Sequence, residues 1–144
     1  IKTAQTLHGS FDHFLSLPPT APLRSIEDVQ KCLHALQEDI DIVITMSPAR
    51  WSPWFNMVKE NIDGSIDLLI KQDSVFRRQD SPICFDMATV AYAAKADFIL
   101  SSKKIWDGKV AGVEVPVERA LDIDTPFDFA IAQFAMDQWD TGNA

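Results

Sequence analysis

A chain of 144 residues is one domain's worth of polymer, long enough to bury a substantial core. With 47% hydrophobic and 24% charged residues it has the balance of a globular protein. Its net charge of -8 argues against a nucleic-acid backbone or an anionic membrane surface as the main partner. Cys32 and Cys84 lie far apart, with no C-x-x-C and no histidine pair beside them, so neither zinc nor a redox dithiol is indicated and a reducing, cytoplasmic setting is expected. No window has the apolar length of a transmembrane helix. Ile1–Leu7 reads as the interior of something longer.

In chain order, Phe11–Leu17 (FDHFLSL) predicts a short strand stopped by Pro18-Pro19. The loop Pro18–Arg24 (PPTAPLR) carries three prolines and is stiff. Ser25 predicts a helix cap with Asp28 three residues on, and Val29, Cys32, Leu33 and Leu36 follow helical spacing. Ile40–Met46 (IDIVITM) predicts a buried strand. Strand, helix and strand in succession suggest a right-handed βαβ crossover and a mostly parallel sheet, hence an α/β fold.

The middle reads differently. Ser47–Trp54 is a loop with two tryptophans, Trp51 and Trp54, that could anchor a second subunit or pack within the loop. Phe55–Glu60 and Ser65–Ile70 flank a turn containing Asp63-Gly64, the pattern of a hairpin inserted between α/β units. Residues 47–86 are thus expected to form an inserted hairpin region within a single domain of residues 1–144. Val75–Pro82 is the one concentrated basic patch. Ala88–Ala94 predicts a buried strand followed by a short helix around Ala96–Ser101, and Val110–Val115 predicts another strand. A final helix is expected from Pro126 to about Trp139, with Phe127, Ile131, Phe134 and Ala135 on one face.

Two features carry chemistry. If Leu121–Asp124 is extended, Asp122 and Asp124 share one face and Leu121 and Ile123 the other. Thr125 reads as the N-cap of the last helix, Pro126 as its first residue and Asp128 as the acidic half of a capping box. Two hard oxygen ligands at such a junction suit Mg²⁺ or Mn²⁺, and Mg²⁺ implies a phosphate-bearing substrate. The plainer alternative is that acids gather at helix starts because the macrodipole favours them. The second feature is Arg77-Arg78-Gln79-Asp80, whose guanidiniums fit a carboxylate or phosphate, or else form a solvated loop with Arg78 paired to Asp80. An acidic metal pair with an arginine clamp is what transfer of a nucleotidyl group to an acidic sugar requires. His8, His13 and His34 have no metal spacing and no nucleophile partner.

Three stretches together resemble the CMP-sialic acid synthetase (acylneuraminate cytidylyltransferase) family. Leu17–Arg24 reads L-P-P-T-A-P-L-R where the family has a segment like L-Q-P-T-S-P-L-R; Arg77–Pro82 matches R-R-Q-D-x-P; Leu121–Phe129 matches I/L-D-I-D-T-x-x-D-F. The resemblance covers nearly all of this chain but only about the C-terminal two-thirds of a family member. It implies a Rossmann-like nucleotide-diphospho-sugar transferase sandwich, here truncated at the N-terminus, that dimerises through the hairpin arm. It also implies transfer of CMP from CTP to a sialic-acid-like sugar acid with release of pyrophosphate. By the same resemblance Asp122 and Asp124 hold Mg²⁺ and Arg77 or Arg78 faces the sugar carboxylate. Thr20, Arg24, Gln79 and Tyr92 would border the substrate.

The departures from the family pattern are specific. The family's N-terminal glycine-rich basic loop for the CTP triphosphate has no counterpart among the five glycines, Pro18 replaces the glutamine of the proline loop, and Met87-Ala88-Thr89 stands where many members have Asn-Gly-Ala. This chain alone is therefore expected to be inactive, and the alternative to an enzyme is a dimerising or sugar-acid-binding remnant. A phosphatase with a D-x-D-x-T nucleophile is set aside, because about twenty residues after Asp124 are too few for that fold.

Overall fold

In the computed structural model, which describes residues 1–71 and 77–142, the chain begins with helix α1 (Lys2–His8), which the sequence pattern did not announce. None of its residues is buried, so periodicity had no apolar face to register. Strand β1 (His13–Ser16) follows, then α2 (Ile26–Ala35), β2 (Ile42–Pro48), β3 (Val58–Glu60) and β4 (Ile66–Leu68). Beyond these come β5 (Phe85–Lys95), α3 (Ala96–Ser101), β6 (Val110–Glu114) and α4 (Pro126–Gly142).

Two compact units emerge, residues 1–47 with 87–144, and residues 48–86. The first contains a four-stranded sheet in the order β1-β5-β2-β6. Its strands do not form the mostly parallel sheet expected from sequence. β2 and β6 are parallel, from Ile42 opposite Val110 to Met46 opposite Glu114. β5 is antiparallel to β1, with Phe14 opposite Ala94 and Ser16 opposite Tyr92. It also runs against β2, since the Lys95 N–H reaches Asp41 O while the Ala91 N–H reaches Thr45 farther along. β1 and β2 therefore point the same way, as a crossover through α2 requires, but β5 lies between them. The result is a mixed α/β sheet, with one long strand opposed to three.

Helix α2 starts as its sequence dictates. Ser25 Oγ accepts from the Asp28 N–H at 3.2 Å and Asp28 Oδ2 accepts from the Ser25 N–H at 3.0 Å, a complete capping box. Cys32 of α2 and Leu36 just past its end pack on Val43, Ala91 and Ala93, with Leu15, Val29, Ala111 and Val113 around them. On the opposite sheet face Ala88, Val90 and Val115 form a second cluster that Ala120 closes. In β2 the buried Thr45 hydroxyl donates to Ala88 O at 2.7 Å and accepts from the Ala91 N–H at 3.2 Å. That side chain thus satisfies backbone groups of β5.

The last helix departs from expectation on one point. Of the face expected to carry Phe127, Ile131, Phe134 and Ala135, Phe127 and Phe134 are 74% and 66% exposed, Ile131 is also exposed and Ala135 is half-buried. Ala132 is buried. Spacing identified an apolar face but not which face meets the body.

The second unit holds the hairpin. Val58 pairs with Leu68 and Glu60 with Ile66, and Gly64 takes φ +82° in the turn, a conformation that favours glycine. Val58, Ile62 and Ile66 are all exposed.

Candidate functional site

The proline loop is braced from within. Ala21 and Leu23 are buried, while Arg24 donates through Nε to Ala21 O at 2.9 Å and through its other arm to Pro18 O. Arg24, expected at the substrate, is thus engaged with its own loop. Thr20 is half-buried and its carbonyl accepts from the Ile123 N–H at 2.8 Å. This bond ties the loop ahead of α2 to the acidic stretch ahead of α4.

The acidic stretch is not the end of a strand. β6 stops at Glu114, a 3₁₀ turn follows at Val117–Arg119, and residues 121–124 pair with no ladder. The expected strand is corrected to a non-repetitive segment pinned at its ends. Upstream, Arg119 grips Asp28 with Nε to Oδ2 at 2.7 Å and its terminal nitrogen to Oδ1 at 2.8 Å. Asp28 has no solvent exposure. Burial alone would push the Asp28 carboxyl up, but the hydrogen bonds from Arg119 and Ser25 outweigh that and hold it below its ordinary value.

Downstream, the capping box expected from Thr125 and Asp128 is formed. Asp128 Oδ2 accepts from the Thr125 N–H at 2.8 Å and from the Asp124 N–H at 3.2 Å, while Thr125 Oγ1 accepts from the Asp128 N–H at 3.3 Å. The Thr125 hydroxyl also donates to Asp128 Oδ2 at 2.7 Å, and this bond, with the two backbone N–H groups, draws the Asp128 carboxyl below its ordinary value.

Between the two anchors Asp122 is half-buried and Asp124 is exposed. Oδ1 of Asp122 is enclosed and has no hydrogen-bond partner among the described residues. An enclosed carboxylate oxygen without a donor is costly unless something cationic or protic completes it. Tyr92, half-buried on β5, has its phenol pushed up by burial and by the Asp122 charge, so these two side chains share one environment. Asp122 and Asp124 are hard oxygen donors of the kind Mg²⁺ takes, and one of their oxygens is unspent, while no group of three or more His, Cys, Asp or Glu gathers among the described residues. Magnesium commonly takes one or two protein carboxylates and completes its shell with water and substrate phosphate.

The basic patch belongs to the second unit. Arg77 and Gln79 are exposed, and a 3₁₀ turn spans Arg78–Asp80 with the Asp80 N–H on Arg77 O at 2.9 Å. The side chain of Arg78, like Val75 and Phe76, lies outside the described residues. Within this unit Gln79, Trp51, Ser52 and Cys84 line a cleft of about 260 Å³. Trp51 is exposed and carries the Arg50 guanidinium 5.1 Å above its ring, whereas Trp54 is half-buried.

The pairing of Asp28 with Arg119 was missed by sequence reasoning. The capping pattern marked Asp28 and the acidic stretch begins at Arg119, but nothing local joins residues 91 apart.

No family model matches the chain. The chain is 35% identical over 136 residues to the post-translational flagellin modification protein B of Campylobacter coli, covering 93% of this chain and 57% of that protein. It is 37% identical over 93 residues to the CMP-N,N'-diacetyllegionaminic acid synthase of Campylobacter jejuni, covering 64% of this chain and 38% of that one. The synthase of the same name from Legionella pneumophila is 23% identical over 142 residues, covering 92% and 57%. The chain therefore spans little more than half the length of the curated relatives it matches. Among solved structures, the 4-diphosphocytidyl-2C-methyl-D-erythritol synthase of Anaerococcus prevotii matches with TM-score 0.57 at 18% identity, covering 92% of this chain and 63% of that one. That likeness shows the fold alone, an α/β architecture. The chain is thus related to the CMP-sialic acid synthetase family, over a portion of a family member's length.

Proposed function

We propose that this chain forms the acceptor-side part of a cytidylyltransferase that transfers CMP from CTP to a sialic-acid-like sugar acid. The observation that carries the reading is the Asp122–Asp124 pair, with its one enclosed and unpartnered carboxylate oxygen, inside the motif that resembles the family. The anomeric oxygen forms a bond to the α-phosphorus while the bond to the leaving pyrophosphate breaks, and the hydroxyl proton passes to solvent. Asp122 and Asp124 would hold Mg²⁺, which when bound neutralises phosphate charge and orients the reacting oxygens. In the second unit the exposed Arg77 and Gln79 offer a planar fork and an amide of the kind a sugar carboxylate takes. Tyr92, beside Asp122, offers a polar contact to the acceptor, and Thr20 and Arg24 keep the bordering loop rigid.

The relatives' names motivate the substrate class, since two of them are synthases of CMP-N,N'-diacetyllegionaminic acid. Residues 1–144 carry no glycine-rich basic loop, so we expect this stretch in isolation to turn over no CTP. A homodimer in the cytoplasm completes the proposal. Association is supported by the exposed apolar side chains of the hairpin, and the two cysteines are not paired with each other. No helix among the described residues is long and apolar enough to cross a membrane.

The reading is tested by pyrophosphate release from the protein that carries this chain in full, with CTP, Mg²⁺ and a panel of sugar acids. Release that depends on both Mg²⁺ and one sugar acid supports it. Release of CMP from CTP without any acceptor, or none with any acceptor, contradicts it and favours a non-catalytic sugar-acid-binding module.

A further inference from the structure

Residues 121–124 have no ladder to hold them, yet one of them keeps a carboxylate oxygen enclosed and unpartnered. Such an arrangement relaxes toward solvent unless neighbouring residues fix the backbone. Two anchors do so. One is the Ile123 N–H on Thr20 O at 2.8 Å. The other is the Arg119 fork on Asp28, three residues before Asp122. Both lead to the entry of α2, where Asp28 Oδ2 also takes the Ser25 N–H and Arg24 braces the loop that carries Thr20.

We infer that Arg119 is a positioning residue: through the buried Asp28 carboxylate it fixes the segment that carries Asp122 and so sets the geometry of the acidic pair. The inference rests on the proposed metal-binding role of that pair. It needs the fork rather than the charge alone, because only a planar guanidinium satisfies both Asp28 oxygens at once. Outer partners of this kind commonly change metal affinity by about 10- to 100-fold when altered.

The test compares Arg119→Lys, which keeps the charge and loses the fork, with Cys32→Ala as a destabilised core control. In the isotopically labelled chain, Ile123 amide exchange is followed by NMR and Mn²⁺ affinity by water proton relaxation. Arg119→Lys should speed Ile123 exchange and raise the Mn²⁺ dissociation constant by about tenfold. Exchange at Val43 and Val90 should stay as in the unaltered chain, and Cys32→Ala should leave both Ile123 exchange and Mn²⁺ affinity unmoved. If Arg119→Lys does not fold, Asp28→Asn is read the same way. Unchanged Ile123 exchange, or equal loss of Mn²⁺ in Cys32→Ala, overturns the positioning role while leaving the metal reading intact. Failure of the unaltered chain to bind Mn²⁺ in a manner that Asp122→Asn removes overturns the metal reading itself, and this inference with it.

Discussion

The backbone N–H of Ile123 donates to the carbonyl of Thr20 at 2.8 Å, joining two stretches that lie a hundred residues apart along the chain. One is the stiff loop that enters α2 and the other is the acidic approach to α4. Asp28 and Arg119 make the same connection through side chains. The acidic pair is thus mounted on the start of α2 rather than on a strand end, and the stability of that mounting can be measured.

Removing the buried carboxylate should be expensive. Asp28→Ala leaves Arg119 without its partner and the Ser25 cap half made, and should cost about 3 kcal/mol or more in urea unfolding. A loss below about 1 kcal/mol would show that the pair is dispensable to the fold.

Acid should act through the same residue. The Asp28 carboxyl is held below its ordinary 3.8, so the folded chain binds its proton less readily than the unfolded chain does. Its contribution is complete above the unfolded value and drains away as pH falls through the lower folded value. The unaltered chain should lose stability below about pH 4. Asp28→Asn should flatten that limb of the stability–pH curve, measured as denaturant midpoint against pH.

Thr45→Val should remove a polar link without changing shape. Valine cannot accept from the buried Ala91 N–H or donate to Ala88 O, so a cost of about 1–3 kcal/mol is expected from denaturant melts.

The thiols should separate by reactivity. Burial, with a smaller push from Asp28, raises the Cys32 thiol to about 11, and its side chain is fully enclosed. Intact mass after alkylation of the native chain at pH 8 should show one adduct, on the half-buried Cys84, and a second only after unfolding.

Legibility in the sequence followed the range of the interactions. The capping boxes of Ser25 with Asp28 and Thr125 with Asp128 are chemistry within four residues, and both were readable. The hairpin turn at Asn61–Gly64 was readable for the same reason, since Gly64 meets a local backbone need. What failed was non-local. No pattern in Phe85–Lys95 says that it enters the sheet between β1 and β2 and runs against both. The alternation of Leu121–Asp124 imitates a strand, but no neighbouring edge is paired with it. Helix α4 has apolar side chains around more than one face, so spacing could not choose the buried side. The acids themselves were visible as a motif, whereas the Asp28–Arg119 mounting beneath them was not.

The most direct test of the central claim is the rate of Mg²⁺-dependent pyrophosphate release by the protein carrying this chain in full, before and after Asp122→Asn. Losing a metal-holding carboxylate should lower kcat by about a thousandfold, equivalent to about 4 kcal/mol, with the fold unchanged by circular dichroism. Turnover equal to that of the unaltered protein, at the same Mg²⁺ concentration, would contradict the account.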